Sequence, residues 1–123
     1  MREEVDLWIR KGQEDYKTAV ILFDNARYED CAVYCHQAAE KALKSLYLLR
    51  HDTVPKVHDI THLARKLELP RVMLEFCIKI TPAYFAGRYP DAPGYDENLF
   101  TKEECAKFVK MAGELLEWIK KIL

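Results

Sequence analysis

Glycine and proline are scarce in this chain of 123 residues, at 4 and 5 copies, and they are not placed where a series of tight turns would need them. That poverty excludes a many-stranded sheet protein, whose hairpins draw on both residue types. Asparagine and glutamine are scarcer still, with only Asn25, Asn98, Gln13 and Gln37 against abundant lysine and glutamate. Such a bias leans towards a thermophilic source. An excess of one charge is missing as well, since 19 basic residues face 20 acidic ones and leave a formal net charge of -1. A chain without a net positive field does not coat a phosphate backbone, so only a locally charged site would bind such a ligand. No apolar run approaches the ~20 residues of a membrane span, and no apolar leader follows Met1-Arg2-Glu3-Glu4. Together with four cysteines that show no disulfide framework, this predicts a cytoplasmic protein without membrane attachment.

What is present is a 50% hydrophobic, 32% charged chain. One domain over residues 1–123 is expected, able to remove roughly two-thirds of its unfolded surface from water without metals or disulfides. The apolar residues repeat by threes and fours, which predicts an all-α fold. Val5, Ile9, Gly12, Tyr16, Ala19, Phe23 and Ala26 form one stripe, a helix of ~20 residues. Cys31, Cys35, Ala38, Ala42, Leu46 and Leu49 form a second. After Pro55, Asp59 is placed to cap a short helix bearing Ile60, Leu63, Ala64 and Leu67. Pro70 opens a fourth, with Val72, Met73, Phe76, Cys77 and Ile80, that is expected to kink or end near Thr81 because Pro82 follows. Residues Gly87 to Leu99 read as a loop. Thr101 and Glu104 then make a capping box for a last helix through Cys105, Phe108, Ala112, Leu115, Ile119 and Ile122. Three long and two shorter helices predict an antiparallel up-down bundle.

Several polar residues carry candidate chemistry. His58 and His62 have the spacing of two metal ligands, but no third ligand accompanies them, so no metal is expected. Cys31 and Cys35 lie on the apolar stripe and read as small buried hydrophobes. His36, Gln37, Glu40, Lys41 and Lys44 form a polar strip that reads first as a solvated face, with Glu40 and Lys44 paired one turn apart. Asp15 lies beside the apolar stripe and needs a cation, for which Lys44 and Arg88 are the candidates. The densest cluster is Tyr84-Phe85-Ala86-Gly87-Arg88-Tyr89-Pro90-Asp91, an arginine set among aromatics at a helix-to-loop junction. Its guanidinium is suited to phosphate and its tyrosines to stacking on a base. The alternative is that Arg88 pairs with Asp91 or a helix carboxylate and pins the loop.

The run Tyr28-Glu29-Asp30-Cys31-Ala32, continuing as His36-Gln37-Ala38-Ala39-Glu40-Lys41-Ala42-Leu43-Lys44, resembles the signature of the HEPN family of small helical domains. His58-Asp59-Ile60 and Arg88-Tyr89-Pro90-Asp91 follow in the same order, so the resemblance spans essentially the whole chain. It implies an antiparallel four-helix bundle with one additional short helix, usually a homodimer, often encoded beside a minimal nucleotidyltransferase as half of a toxin–antitoxin pair. A nucleotide or RNA ligand would be met by Arg88, Tyr89, Asp91, Tyr84, Glu40, Lys44 and His36, with no cofactor. Many relatives are metal-independent ribonucleases with an Arg-x(4–6)-His motif. Here Arg88 is followed, after six residues, by Tyr95 instead of histidine, and no histidine lies beyond His62. Arg88 and Tyr95 are therefore the candidate catalytic pair. A phenol with a pKa near 10 is a poor proton shuttle, so the expected role is a nucleotide- or RNA-associated component that is not a strong catalyst. The alternatives are an endoribonuclease toxin that uses Arg88 and a purely structural interaction module. Tyr95 is also a candidate for modification with AMP by the partner enzyme.

Overall fold

The structure is a computed structural model that describes residues 2–93 and 96–123. It contains five α-helices, α1 (Arg2–Asp24), α2 (Tyr28–His51), α3 (Ile60–Lys66), α4 (Arg71–Arg88) and α5 (Lys102–Ile122), with a 3-10 turn at Glu97–Phe100 and no strand among the described residues. Four long helices make the antiparallel bundle and α3 is the additional short one. Among the described residues, no helix is long and apolar enough to cross a membrane.

Local chemistry sets the helix ends. Between α1 and α2 the chain reverses in three residues: Arg27 N–H reaches Leu22 O at 2.8 Å and Ala26 N–H reaches Phe23 O at 3.0 Å, the double bond of a Schellman turn. Ala26 adopts φ 57° there, a left-handed conformation that strains any residue with a Cβ. Ala26→Gly should therefore stabilise the protein by about 1 kcal/mol, read as a raised midpoint in chemical denaturation. An unchanged or lowered midpoint would contradict this account of the turn. Asp59 caps α3 by accepting from Thr61 N at 3.0 Å. Thr101 caps α5 by accepting from Glu104 N at 3.1 Å. The other half of that capping box is diverted, because the Glu104 carboxylate pairs with Lys79 at 2.6 Å and Lys107 at 3.5 Å.

Of the two outcomes that the sequence predicts at Pro82, an end to α4 is not realised; the helix continues through it for six more residues to Arg88. Pro82 itself is exposed. Buried Ile80, Ala83, Tyr84 and Ala86 on either side of it hold the helix together by packing. This makes the fourth helix long instead of short and carries Arg88 on a rigid element.

Helix α2 is the centre of the bundle and touches each of the other helices. Its own Leu43 and Leu46 share the interior with Ile60, Leu63, Ile80, Phe108, Leu115 and Ile119 of the other helices, all fully buried or nearly so. Each such side chain contributes about 1.5–3 kcal/mol of apolar burial. Gly12 lets α1 approach closely, since a Cβ there would stand 3.1 Å from Ala38 O. All four cysteines are buried and free, as the stripe positions predicted for Cys31 and Cys35. Burial pushes the thiols of Cys77 and Cys105 up to about 12, which keeps them protonated and unreactive.

Candidate functional site

The central position of α2 overturns one expectation at once. His36, Glu40 and Lys44 do not lie on a solvated face; their residues are 0%, 6% and 6% exposed. His36 lies under Tyr84 of α4, Glu40 meets His58 ahead of α3, and Lys44 lies against Trp8 of α1, elements that no local spacing links to α2. Lys44 Nζ donates to Glu40 Oε2 at 2.8 Å and sits 5.6 Å from the centre of the Trp8 ring. His58 Nδ1 lies 3.0 Å from the same carboxylate oxygen. An ionised carboxylate only accepts, so Nδ1 carries the hydrogen of this bond. Burial alone would raise Glu40, but the bonds and charge of Lys44, with help from His58, outweigh it and hold the carboxyl below its usual range.

His36 has no well-formed hydrogen bond to either ring nitrogen among the described residues, and Glu40 Oε1 stands 4.0 Å from its Nδ1. Its ring stacks on Tyr84, with centroids 4.2 Å apart and planes 26° from parallel. Burial drives its pKa down to about 4, against a partial upward pull from Glu40, so the imidazole is neutral near pH 7.

Tyr84 joins the buried polar group to the surface. Its hydroxyl accepts from Arg88 Nη1 at 2.5 Å, one helical turn on. The Arg88 guanidinium carbon lies 5.1 Å from the Tyr84 ring centre and 5.9 Å from that of Tyr89, and the His58 ring centre is 6.1 Å from that of Tyr84. No carboxylate among the described residues forms an ion pair with Arg88, so the alternative in which it merely pairs with Asp91 or a helix acid is not realised. Asp91 lies instead with Pro82, Phe85 and Tyr89 along a shallow groove of ≈ 450 Å³.

Of the expected site residues, the fold gathers Arg88, Tyr84, His36, Glu40 and Lys44 into one connected array, with Tyr89 at its edge. Asp91 stands aside from it, and Tyr95 lies outside the described residues. Asp15 finds its cation in Lys41, at 2.5 Å, and Lys11, at 3.4 Å, in place of Lys44 or Arg88: Lys44 is held by Glu40 and Arg88 by Tyr84. His58 is the member that reading the residues alone missed. It precedes the cap of α3 and so shares no helix face with His62, and among the described residues no group of three metal-ligating side chains is placed to hold an ion. The only sequence signal for it was the His58-Asp59-Ile60 motif.

Comparison with known proteins agrees with this architecture. The HEPN domain profile matches residues 5–122. The crystal structure of TT1696 from Thermus thermophilus is similar at a TM-score of 0.86 and 25% identity, covering 97% of this chain and 98% of that one. That of ST0689, an archaeal HEPN homologue, is similar at a TM-score of 0.78 and 26% identity, covering 95% of both chains. A search of the curated proteins found no match. The profile covers nearly the entire chain and the bundle matches these structures along their length: the chain belongs to the HEPN domain family.

Proposed function

We propose that this protein is the nucleotide- or RNA-associated partner of a minimal nucleotidyltransferase in a two-gene, toxin–antitoxin-like system, acting as a cytoplasmic homodimer that presents Arg88 and its tyrosines to the ligand. The observation that supports this most directly is the state of Arg88. It is exposed, fixed to Tyr84, flanked by two aromatic rings, and free of any carboxylate partner among the described residues. A guanidinium held in that way is preorganised for a phosphate and retains its full charge for it. Exposed Phe85 and Tyr89 beside it, at 41% and 49%, supply an apolar margin on which a second copy or a base can rest. Near-neutral net charge fits this arrangement, because a pair of local cationic sites binds a nucleotide without a basic surface.

Two measurements test the reading. Arg88→Ala should weaken binding of a fluorescent oligoribonucleotide at least about tenfold in anisotropy titrations at low salt, with the thermal midpoint little changed. Co-expression with the neighbouring nucleotidyltransferase should yield a complex, and incubation with ATP and magnesium should add one or more AMP units to the intact mass. Absence of a complex, together with unaltered affinity of Arg88→Ala, would remove the basis of the proposal.

A further inference from the structure

Helices α4 and α5 enclose a small pocket that the Arg88 array leaves unused. Its floor is the tilted ring pair of Phe76 and Phe108, 6% and 2% exposed, with centroids 6.4 Å apart. Val72 and Met111 extend the apolar lining, and Glu75, Lys79, Glu104 and Lys107 complete it. Helical spacing produces this arrangement. Val72, Phe76 and Lys79 step by four and three along α4, while Glu104, Phe108 and Met111 step likewise along α5 with Lys107 beside them, so each helix brings one ring and one ammonium to the shared groove. Lys79 precedes Arg88 by nine residues, about 14 Å along the helix axis, which keeps the pocket apart from the Arg88 site. We infer that it binds a small organic anion, a carboxylate carried on a single aromatic ring or a short alkyl chain.

Volume sets the size of the guest. The pocket holds ≈ 180 Å³, whereas sites for drug-sized ligands start at about 300 Å³. An apolar cavity of about 150 Å³ takes one benzene, so a single ring or a chain of about six carbons fills this one, and a nucleotide does not fit. Charge decides the rest. Both ammonium groups share the Glu104 carboxylate, at 2.6 Å from Lys79 and 3.5 Å from Lys107. The bond from Lys79, with the charge of Lys107 behind it, holds that carboxyl below its usual range, so it is ionised near pH 7. Glu75, the other acid of the lining, is taken by Arg71 at 3.0 Å. Among the described residues Lys79 and Lys107 have no second acid within ion-pair distance. Two ammonium groups thus meet one carboxylate, and the lining keeps one positive charge unmatched, which an anion complements and a neutral or cationic guest does not. The two lysine side chains are 52% and 68% exposed. A bound carboxylate would therefore stay hydrated beside them and avoid the penalty of a buried ion, while its ring or chain gives up apolar surface to Phe76 and Phe108. Met111, unbranched and adaptable, suits either body.

The test is a titration of the full isotope-labelled chain with phenylacetate, followed in amide correlation spectra. Amides of residues 72–79 and 104–111 should shift together and saturate with a dissociation constant on the order of 1 mM. The neutral analogue 2-phenylethanol should bind at least about threefold more weakly, and acetate should give no saturable shift there. Lys107→Met, a change at an exposed position, should reduce phenylacetate to the affinity of the neutral analogue. Lys120→Met removes the same charge near the far end of α5 and should leave the affinity as it is. Equal affinity for phenylacetate and 2-phenylethanol overturns the inference, since the pocket is then a hole for any apolar group, a partner's side chain included. Shifts of the same amides on raising the protein concentration alone also overturn it, because a second copy then occupies the pocket. If phenylacetate shifts only residues around Arg88, or none at all, this inference falls and the reading of Arg88 is untouched.

Discussion

Glu40→Ala should cost the fold about 3–5 kcal/mol, the largest loss expected from any single polar substitution in this protein. Lys44 is 7% exposed in its side chain and Glu40 is 8% exposed. Removing the carboxylate leaves an ammonium inside the bundle with only the Trp8 face nearby, and the cost is that of an unpaired buried charge. The paired state itself is not intrinsically worth so much, because desolvating both ions offsets most of their attraction. The double substitution Glu40→Leu with Lys44→Met should accordingly recover most of the loss. Urea denaturation at pH 7 decides the matter. A loss under about 1 kcal/mol for Glu40→Ala would show that water reaches the pair and that the site is softer than the packing indicates.

The second large effect is a pH dependence that belongs to His36. Its pKa in the folded protein is about 4, against about 6.5 in an unfolded chain. Above that unfolded value the imidazole is neutral in both states and the stability is complete. As pH falls through the window from about 6.5 to about 4, the unfolded chain binds a proton that the folded one refuses, so stability declines. The loss is on the order of 3 kcal/mol across that window. Glu40 and Glu104, both held below the usual carboxylate range, add their own losses only at lower pH, as the folded carboxylates become protonated. His36→Phe keeps a ring against Tyr84 and removes the titration. Its stability should be nearly flat from about pH 7 to about 4.5, where the wild type slopes. Parallel slopes in the two proteins would sink the assignment.

How far these features are legible in the sequence depends on the range of the interactions. Helix stripes, the Asp59 and Thr101 caps and the short third helix follow from residues within a turn or two of each other, and the structure has them where spacing predicts. Pro82 defeats a local reading because propensity opposes a helix there, while tertiary burial of Ile80, Ala83 and Tyr84 overrides that cost. The polar strip of α2 defeats it for a related reason. A run of His, Gln, Glu and Lys at helical spacing describes a surface unless something distant covers it, and what covers it here is Trp8 of α1, His58 and the far half of α4. Arg88 and Tyr84, one turn apart, can be read together. His58 and Glu40 cannot, because only the folded chain makes them neighbours. Asp15 shows the limit in miniature: its need for a cation is visible, but the choice of Lys41 over Lys44 depends on which lysine another acid has already claimed.

The last turn of α4 has one more implication. A Cβ on Gly87 would stand 2.7 Å from Val33 Cγ2 and 3.4 Å from Glu29 O, so the missing side chain is what lets the end of α4 lie against the start of α2. Arg88 is thereby mounted on the same frame as His36, Glu40 and Lys44. Any side chain larger than hydrogen at Gly87 would therefore move the guanidinium of Arg88 by prising two helices apart, so the position of this exposed cation is set by helix spacing.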